Sequence, residues 1–134
     1  MLLISQQQRQ AAGDPAFVKR VVQHLRFYHF DDVCRIPVET LHHRVAHCIE
    51  KARGHGLTIE RTLTMFTANM IRINPEFYQQ PAIARLLADT DKPELKRMES
   101  LVFEASSADW DQAEQRCDAE QYWKTVDAVV MEQE

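Results

Sequence analysis

The sequence is short of glycine, of proline and of the alternating β-branched residues that are typical of strands. It contains three glycines and five prolines among 134 residues. Good helix formers (Ala, Leu, Gln, Glu, Arg and Met) fill long stretches instead. A hydrophobic fraction of 45% in a chain of this length suits one core. The composition therefore predicts an all-α fold in a single domain, residues 1–134.

Cysteine is also scarce, and its spacing fits neither a disulfide framework nor a zinc knuckle. Cys34, Cys48 and Cys117 are an odd number, lie far apart and form no C-x-x-C pair. We therefore expect reduced, packed thiols and no cofactor.

Long apolar runs and concentrated positive charge are missing as well. The run in "MLLIS" is too short for a signal-peptide core, and no stretch approaches the roughly 20 apolar residues of a membrane span. Residues 1–72 carry ten Lys or Arg against six Asp or Glu, whereas residues 73–134 carry six against fourteen. Neither half contains the Lys/Arg stripe that neutralises a phosphate backbone. We expect a cytoplasmic protein that binds neither membrane nor nucleic acid.

Caps and apolar stripes predict a bundle of about six helices. Gly13 is typical of a helix end, Asp14 of the N-cap of the next helix, and Pro15 of its first turn. Asn74-Pro75 ends a later helix. The predicted helices cover residues 5–12, 15–30, 37–53 and 58–73, then a short one from Pro81, one that ends near Ser106 and a long last one with Asp109 as its N-cap.

Gly54-His55-Gly56 stands between two of these helices, as either a ligand-binding loop or a corner. A phosphate loop needs a preceding strand or a following Lys-Ser/Thr, and neither is present. A left-handed glycine that closes one helix, with Thr58 as the N-cap of the next, explains the segment better. We predict a corner.

The helix over residues 58–73 has no charged residue between Arg61 and Arg72. Apolar side chains cover most of its circumference, which is typical of a helix buried from several directions. We therefore predict that it lies at the centre of the bundle. Met65 lies away from the main stripe, and an exposed, adaptable partner surface around it is the alternative. The main stripe consists of Ile59, Leu63, Phe66, Met70 and Ile73.

His43 and His47 lie four residues apart, the separation that lets two imidazoles on one helix share a metal. Counting 100° per residue turns both away from the apolar stripe of the same helix, and no obvious third ligand accompanies them. That stripe, which we expect to be buried, consists of Leu41, Val45, Cys48, Ile49 and Ala52. We therefore predict that both histidines face solvent and that no metal is bound. No nucleophile stands in a recognisable motif, so no catalytic residue is assigned and we expect no enzyme.

The predicted last helix changes its apolar side near residue 119. Trp110, Ala113 and Cys117 share one face, whereas the later apolar residues cluster almost opposite. Either the helix breaks there and packs internally, or its second half is offered to a protein partner. Under the second interpretation the partner-binding residues are Tyr122, Trp123, Val126 and Val130, flanked by Asp118, Glu120 and Asp127.

Several short motifs occur in a distinctive order over residues 1–90. They are Phe17, Arg20 and His24-Leu25-Arg26, then Gly56-Leu57-Thr58-Ile59-Glu60-Arg61, Met70, and Glu76-Phe77 with Pro81. This order resembles a family of small helical bacterial proteins encoded beside type VI secretion spike and effector genes. The resemblance implies that the gene lies in a toxin system, and it assigns no catalytic residue in this sequence.

A protein-binding module in such a context has two expected functions. An effector chaperone or adaptor would hold a secreted toxin and deliver it to the spike. An immunity protein would block the active site of a toxin, with the acidic half of the chain mimicking an anionic substrate. A small enzyme whose site is not visible in the sequence is the remaining alternative.

Overall fold

The computed structural model describes residues 14–133, with side chains as far as residue 129. These residues form eight α-helices and one short 3₁₀ helix, without a strand among them. The predicted all-α class is confirmed, and the predicted helix over residues 5–12 lies outside the described residues. The helices are α1 Pro15–Tyr28, α2 Phe30–Val33, α3 Val38–Gly54, α4 Glu60–Arg72, α5 Pro81–Leu87, α6 Glu94–Phe103, α7 Ser107–Glu114 and α8 Ala119–Gln133, with the 3₁₀ helix Phe77–Gln79 before α5.

Two of the local features that were predicted at helix ends are present in the structure. The Asp14 side chain accepts a hydrogen bond from the Ala16 N–H at 3.0 Å, and Pro15 occupies the first turn of α1. At the corner between α3 and α4, Gly56 has a φ of +82°, the left-handed conformation that glycine adopts without strain. The predicted corner is therefore confirmed.

Helix α4 packs against α1, α2, α3 and α6, which agrees with its predicted central position. Leu63, Phe66 and Met70 of the predicted stripe are buried. The prediction is wrong for Ile59, which is 49% exposed because it lies at the N-cap, before the first turn of the helix. The central helix is therefore buried in the core mainly through its middle and its C-terminal half.

The N-terminus of α4 is capped by a residue from another helix. Thr58 was predicted as its N-cap, but Ile59 occupies that position and offers no side-chain acceptor. The Glu94 carboxylate of α6 accepts from the backbone N–H groups of Thr58 at 3.0 Å and Ile59 at 2.7 Å, and from the Thr62 hydroxyl at 2.7 Å. Burial alone would raise the pKa of this carboxyl, but these hydrogen bonds outweigh it and lower the pKa to about 2.

We expect Glu94→Gln to lower the free energy of unfolding by about 1–3 kcal/mol, since hydrogen bonds to a charged group contribute more than neutral ones. The folded-state pKa of Glu94 lies below the ordinary value near 4.5. Its stabilisation is therefore complete above about pH 4.5 and is lost as the pH falls towards 2. Urea denaturation of both proteins between pH 7 and pH 2 measures this difference.

Glu99→Gln on the same helix is the matched control, because Glu99 makes only a 3.6 Å ion pair with Lys96 among the described residues. A Glu94→Gln variant as stable as Glu99→Gln at pH 7 would show that the cap contributes nothing.

The predicted last helix breaks near residue 119, which is the first of its two interpretations, and it forms two helices, α7 and α8. Asp109 is the third residue of α7 and forms a capping box with Ser106, which is the true N-cap. The buried Asn74 side chain donates to the carbonyl oxygens of Glu114 at 3.1 Å and Cys117 at 2.9 Å. Because Asn74 satisfies these carbonyls from the side, the chain turns between α7 and α8 instead of continuing.

The buried apolar side chains from Phe17 in α1 to Trp123 in α8 form one continuous core. None of the described helices has both the length and the apolar character that crossing a membrane requires.

Candidate functional site

The predicted partner-binding cluster on α8 packs largely inside the molecule. Trp123 is 8% exposed and lies against α3, with the Arg44 guanidinium 5.3 Å from its ring centroid. The Tyr122 hydroxyl and His47 Nε2 are hydrogen-bonded at 2.6 Å. Exposure of the Trp123 anchor was therefore wrongly predicted. The turn after α7 reorients α8, so the change of apolar side that suggested display instead brings this cluster onto the core.

The remaining residues of that prediction are divided between internal contacts and the surface. Asp127 accepts two hydrogen bonds from Arg44, at 2.9 and 3.2 Å, and Val126 packs partly buried against the core. Asp118 and Glu120 are exposed. The side chain of Val130 lies outside the described residues.

The two histidines of α3 have different environments. His43 is exposed, as predicted, but His47 is half-buried beneath α8 and does not face open solvent. Burial, reinforced by the charge of Lys51, lowers the pKa of His47. Within the part of the chain that the structure describes, no three His, Cys, Asp or Glu residues are grouped to hold a metal ion.

A polar cavity of about 550 Å³ lies beside His47. It is also lined by Glu50, Lys51, Gly54, His55 and Tyr78. Burial raises the pKa of the nearby Cys48 thiol, and burial together with Glu76 raises the pKa of Cys117 to about 11. Since the thiolate is the nucleophilic form, neither cysteine is activated at neutral pH.

A second groove, with a more apolar lining, lies along α4. Its floor is one face of α4, and its walls are His24 of α1, His29 after α1, and Met98 and Val102 of α6. The groove has a volume of about 480 Å³. The floor residues follow the spacing i, i+3, i+4, i+7, i+8 and i+11, and they are Arg61, Thr64, Met65, Ala68, Asn69 and Arg72.

The groove is apolar in the middle and positively charged at both ends of its floor. Met65 and Ala68 form the centre, and Val102 on the wall is 63% exposed. Arg61 and Arg72 are 11 residues apart, so they stand about 16 Å apart along the helix axis. Arg72 forms a 3.4 Å ion pair with Asp32, whereas Arg61 has no ion-pair partner among the described residues.

The wall formed by α1 continues into exposed aromatic residues. The His24 ring lies 4.8 Å from the ring of Tyr28, which in turn lies 4.8 Å from the ring of Phe27. Tyr28 is 66% exposed and Phe27 is 78% exposed. The buried face of α1 ends at Leu25, and Tyr28 extends the apolar surface beside the groove.

His29 adds no positive charge to the wall of the groove at neutral pH. The pKa of His29 is lowered by burial first, and then by the charges of Arg72 and His24, with Asp32 acting in the opposite direction. The positive charge of the groove is therefore that of the arginines at the ends of its floor.

Sequence reasoning had identified only Met65 as an element of this surface. The missed signal was the spacing from Arg61 to Arg72, which places two cations and an apolar centre on one helical face. Comparison with protein-family models, with curated proteins and with solved structures finds no significant match to this chain.

Proposed function

We propose that this protein is a non-enzymatic protein-binding module and that the groove between α1, α4 and α6 is its binding surface. The observation that carries the proposal is the apolar centre at Met65 and Val102, which continues through His24 to Tyr28 and Phe27 at the surface. Contiguous exposed apolar surface in a soluble domain commonly marks an interaction site. Met, Tyr and Arg, which line or border the groove, are enriched in protein interfaces.

Within this proposal, the protein acts as an effector chaperone or adaptor in a type VI secretion toxin cluster, and its partner is a secreted toxin or a spike component. The groove favours this function over an immunity protein that mimics an anionic substrate. Asp127 is paired with Arg44, and the groove, a concave apolar surface, carries arginines at both ends. A groove of this kind suits holding a segment of another protein.

A gene deletion in the source bacterium, complemented with chosen variants, tests the proposal. Val102→Glu places a charge in the apolar groove at a site already 63% exposed, so it should preserve the fold. Phe103→Glu is the matched control, because Phe103 is the next residue, is 83% exposed and does not line the groove.

Mass spectrometry of the secreted proteins gives the result. We expect the deletion strain to grow normally but to lose export of at least one secreted protein, and we expect wild type and Phe103→Glu, but not Val102→Glu, to restore it. Unchanged secretion after deletion would contradict the adaptor function. Growth arrest that disappears when a toxin gene is also deleted would identify an immunity protein instead.

A further inference from the structure

We infer that the occupant of the groove is an acidic amphipathic helix of the partner protein. This inference rests on the proposed function, and it specifies the chemistry of the partner segment. Its basis is the match between the shape of the groove, the order of apolar and charged groups along it, and the geometry of a helix.

The backbone around the groove favours a helical occupant over a strand. The floor and the main walls belong to α4, α1 and α6, whose backbone groups are hydrogen-bonded within each helix. They present no unpaired strand edge to which an extended peptide could add. A helix satisfies its own backbone hydrogen bonds and brings only side chains to the contact.

The length and the charges of the groove define the occupant further. The distance of about 16 Å between the positions of Arg61 and Arg72 corresponds to about three helical turns. A helix lying along α4 would place an apolar i, i+3, i+4, i+7 stripe over Met65, Ala68 and Val102. Carboxylates near its two ends, about 11 residues apart, would then meet Arg61 and Arg72.

The end charges have different roles. Arg61 is exposed and lacks an ion-pair partner in the described part of the chain. Arg72 is already paired with Asp32, but both side chains are about two-fifths exposed, at 41% and 42%, and a partner carboxylate can share or replace that contact. Arg61 should therefore contribute more to discrimination between acidic and basic helices than Arg72.

A displayed peptide library tests the inference with the full chain immobilised. The library consists of 16-residue helix-forming peptides with a fixed apolar i, i+3, i+4, i+7 stripe and with Glu, Gln or Lys at the end positions. We expect selection to enrich Glu at both ends. Binding of a selected peptide should weaken about thirtyfold or more in Val102→Glu and about tenfold in Arg61→Glu, while Phe103→Glu remains within about twofold of wild type.

A charge swap separates the inferred contact from a general effect of substitution on the fold. The Arg61→Glu variant should regain affinity for a version of the selected peptide with Lys at the end facing residue 61. Circular dichroism melting of each variant verifies that it is folded before its affinity is compared with that of wild type.

The other outcomes overturn the inference in distinguishable ways. If the selected peptides lose affinity for Val102→Glu but carry Lys or Gln at their ends, the inference that the partner helix is acidic is wrong. The proposed function is not affected by that result. If no enriched peptide binds Val102→Glu more weakly than Phe103→Glu, the inference that a helix occupies the groove is wrong. The secretion phenotype of Val102→Glu then tests the proposed function separately. A wild-type dimer that Val102→Glu converts to a monomer, measured by light scattering, would show that a second copy fills the groove.

Discussion

Replacing Phe66 with alanine is expected to lower the free energy of unfolding by about 3–5 kcal/mol, the usual cost of truncating a fully buried aromatic residue. Phe66 lies in the middle of α4 with no exposed surface. Its ring centroid is 5.0 Å from that of Phe77, 5.4 Å from that of Tyr78 and 5.3 Å from that of His55. The cavity would therefore open where α3, α4 and the Phe77–Gln79 turn meet.

Urea denaturation measures the loss, and Phe103→Ala is the control because its side chain is 83% exposed and should change stability by less than about 0.5 kcal/mol. A loss below about 1 kcal/mol for Phe66→Ala would mean that α4 is peripheral and not the centre of the bundle.

Trp123→Ala is expected to cost a similar amount, about 3–5 kcal/mol. The indole is buried against α3 beneath the Arg44 guanidinium, and its removal opens a cavity next to the hydrogen bond between Tyr122 and His47. The Arg44 and Asp127 pair, whose side chains are 18% and 29% exposed, would lose the packing that orders it. Weakened docking of α8 on α3 is the expected consequence.

Val129→Ala serves as the control on the same helix, because Val129 is 49% exposed. Thermal and urea unfolding of both variants give the comparison. A Trp123→Ala protein that keeps its stability but loses a partner would restore the interpretation of α8 as a displayed binding helix.

Local signals were sufficient for much of the fold. The stripe over Leu41, Val45, Cys48, Ile49 and Ala52 was predicted from spacing alone, and all five residues are buried in α3. The Asp14 cap and a left-handed glycine at position 54 or 56 were equally predictable, since each depends on the residue itself and its immediate neighbours. The structure places the left-handed conformation at Gly56.

The features that sequence reasoning missed depend on contacts between distant parts of the chain. Glu94 caps a helix that begins 34 positions earlier, and Asn74 ends a helix 40 positions later. His47 is covered by Tyr122, 75 residues away, so its helical angle alone suggested exposure. These contacts carry no periodic signal, because tertiary packing determines which side chain satisfies which group.

The groove was missed for a related reason. Apolar side chains around most of α4 predicted burial from several directions, and an exposed surface around Met65 was only the alternative. The structure leaves the Met65 side of α4 as a floor between α1 and α6. Whether a helix face is covered depends on how many neighbours reach it, and that number is fixed by the arrangement of the other helices.

Methionine methyl NMR tests the central claim, that the groove binds an acidic helix, most directly. Protein labelled with ¹³C at its methionine methyl groups would be titrated with a Glu-ended helical peptide carrying the apolar stripe, and with its Lys-ended counterpart. Met65 lines the groove and is partly exposed, whereas Met70 is buried in the core and is the internal control. A shift of the Met65 signal with the Glu-ended peptide only, and a stationary Met70 signal, are the predicted result. An unmoved Met65 signal, or an equal shift with the Lys-ended peptide, would contradict the claim.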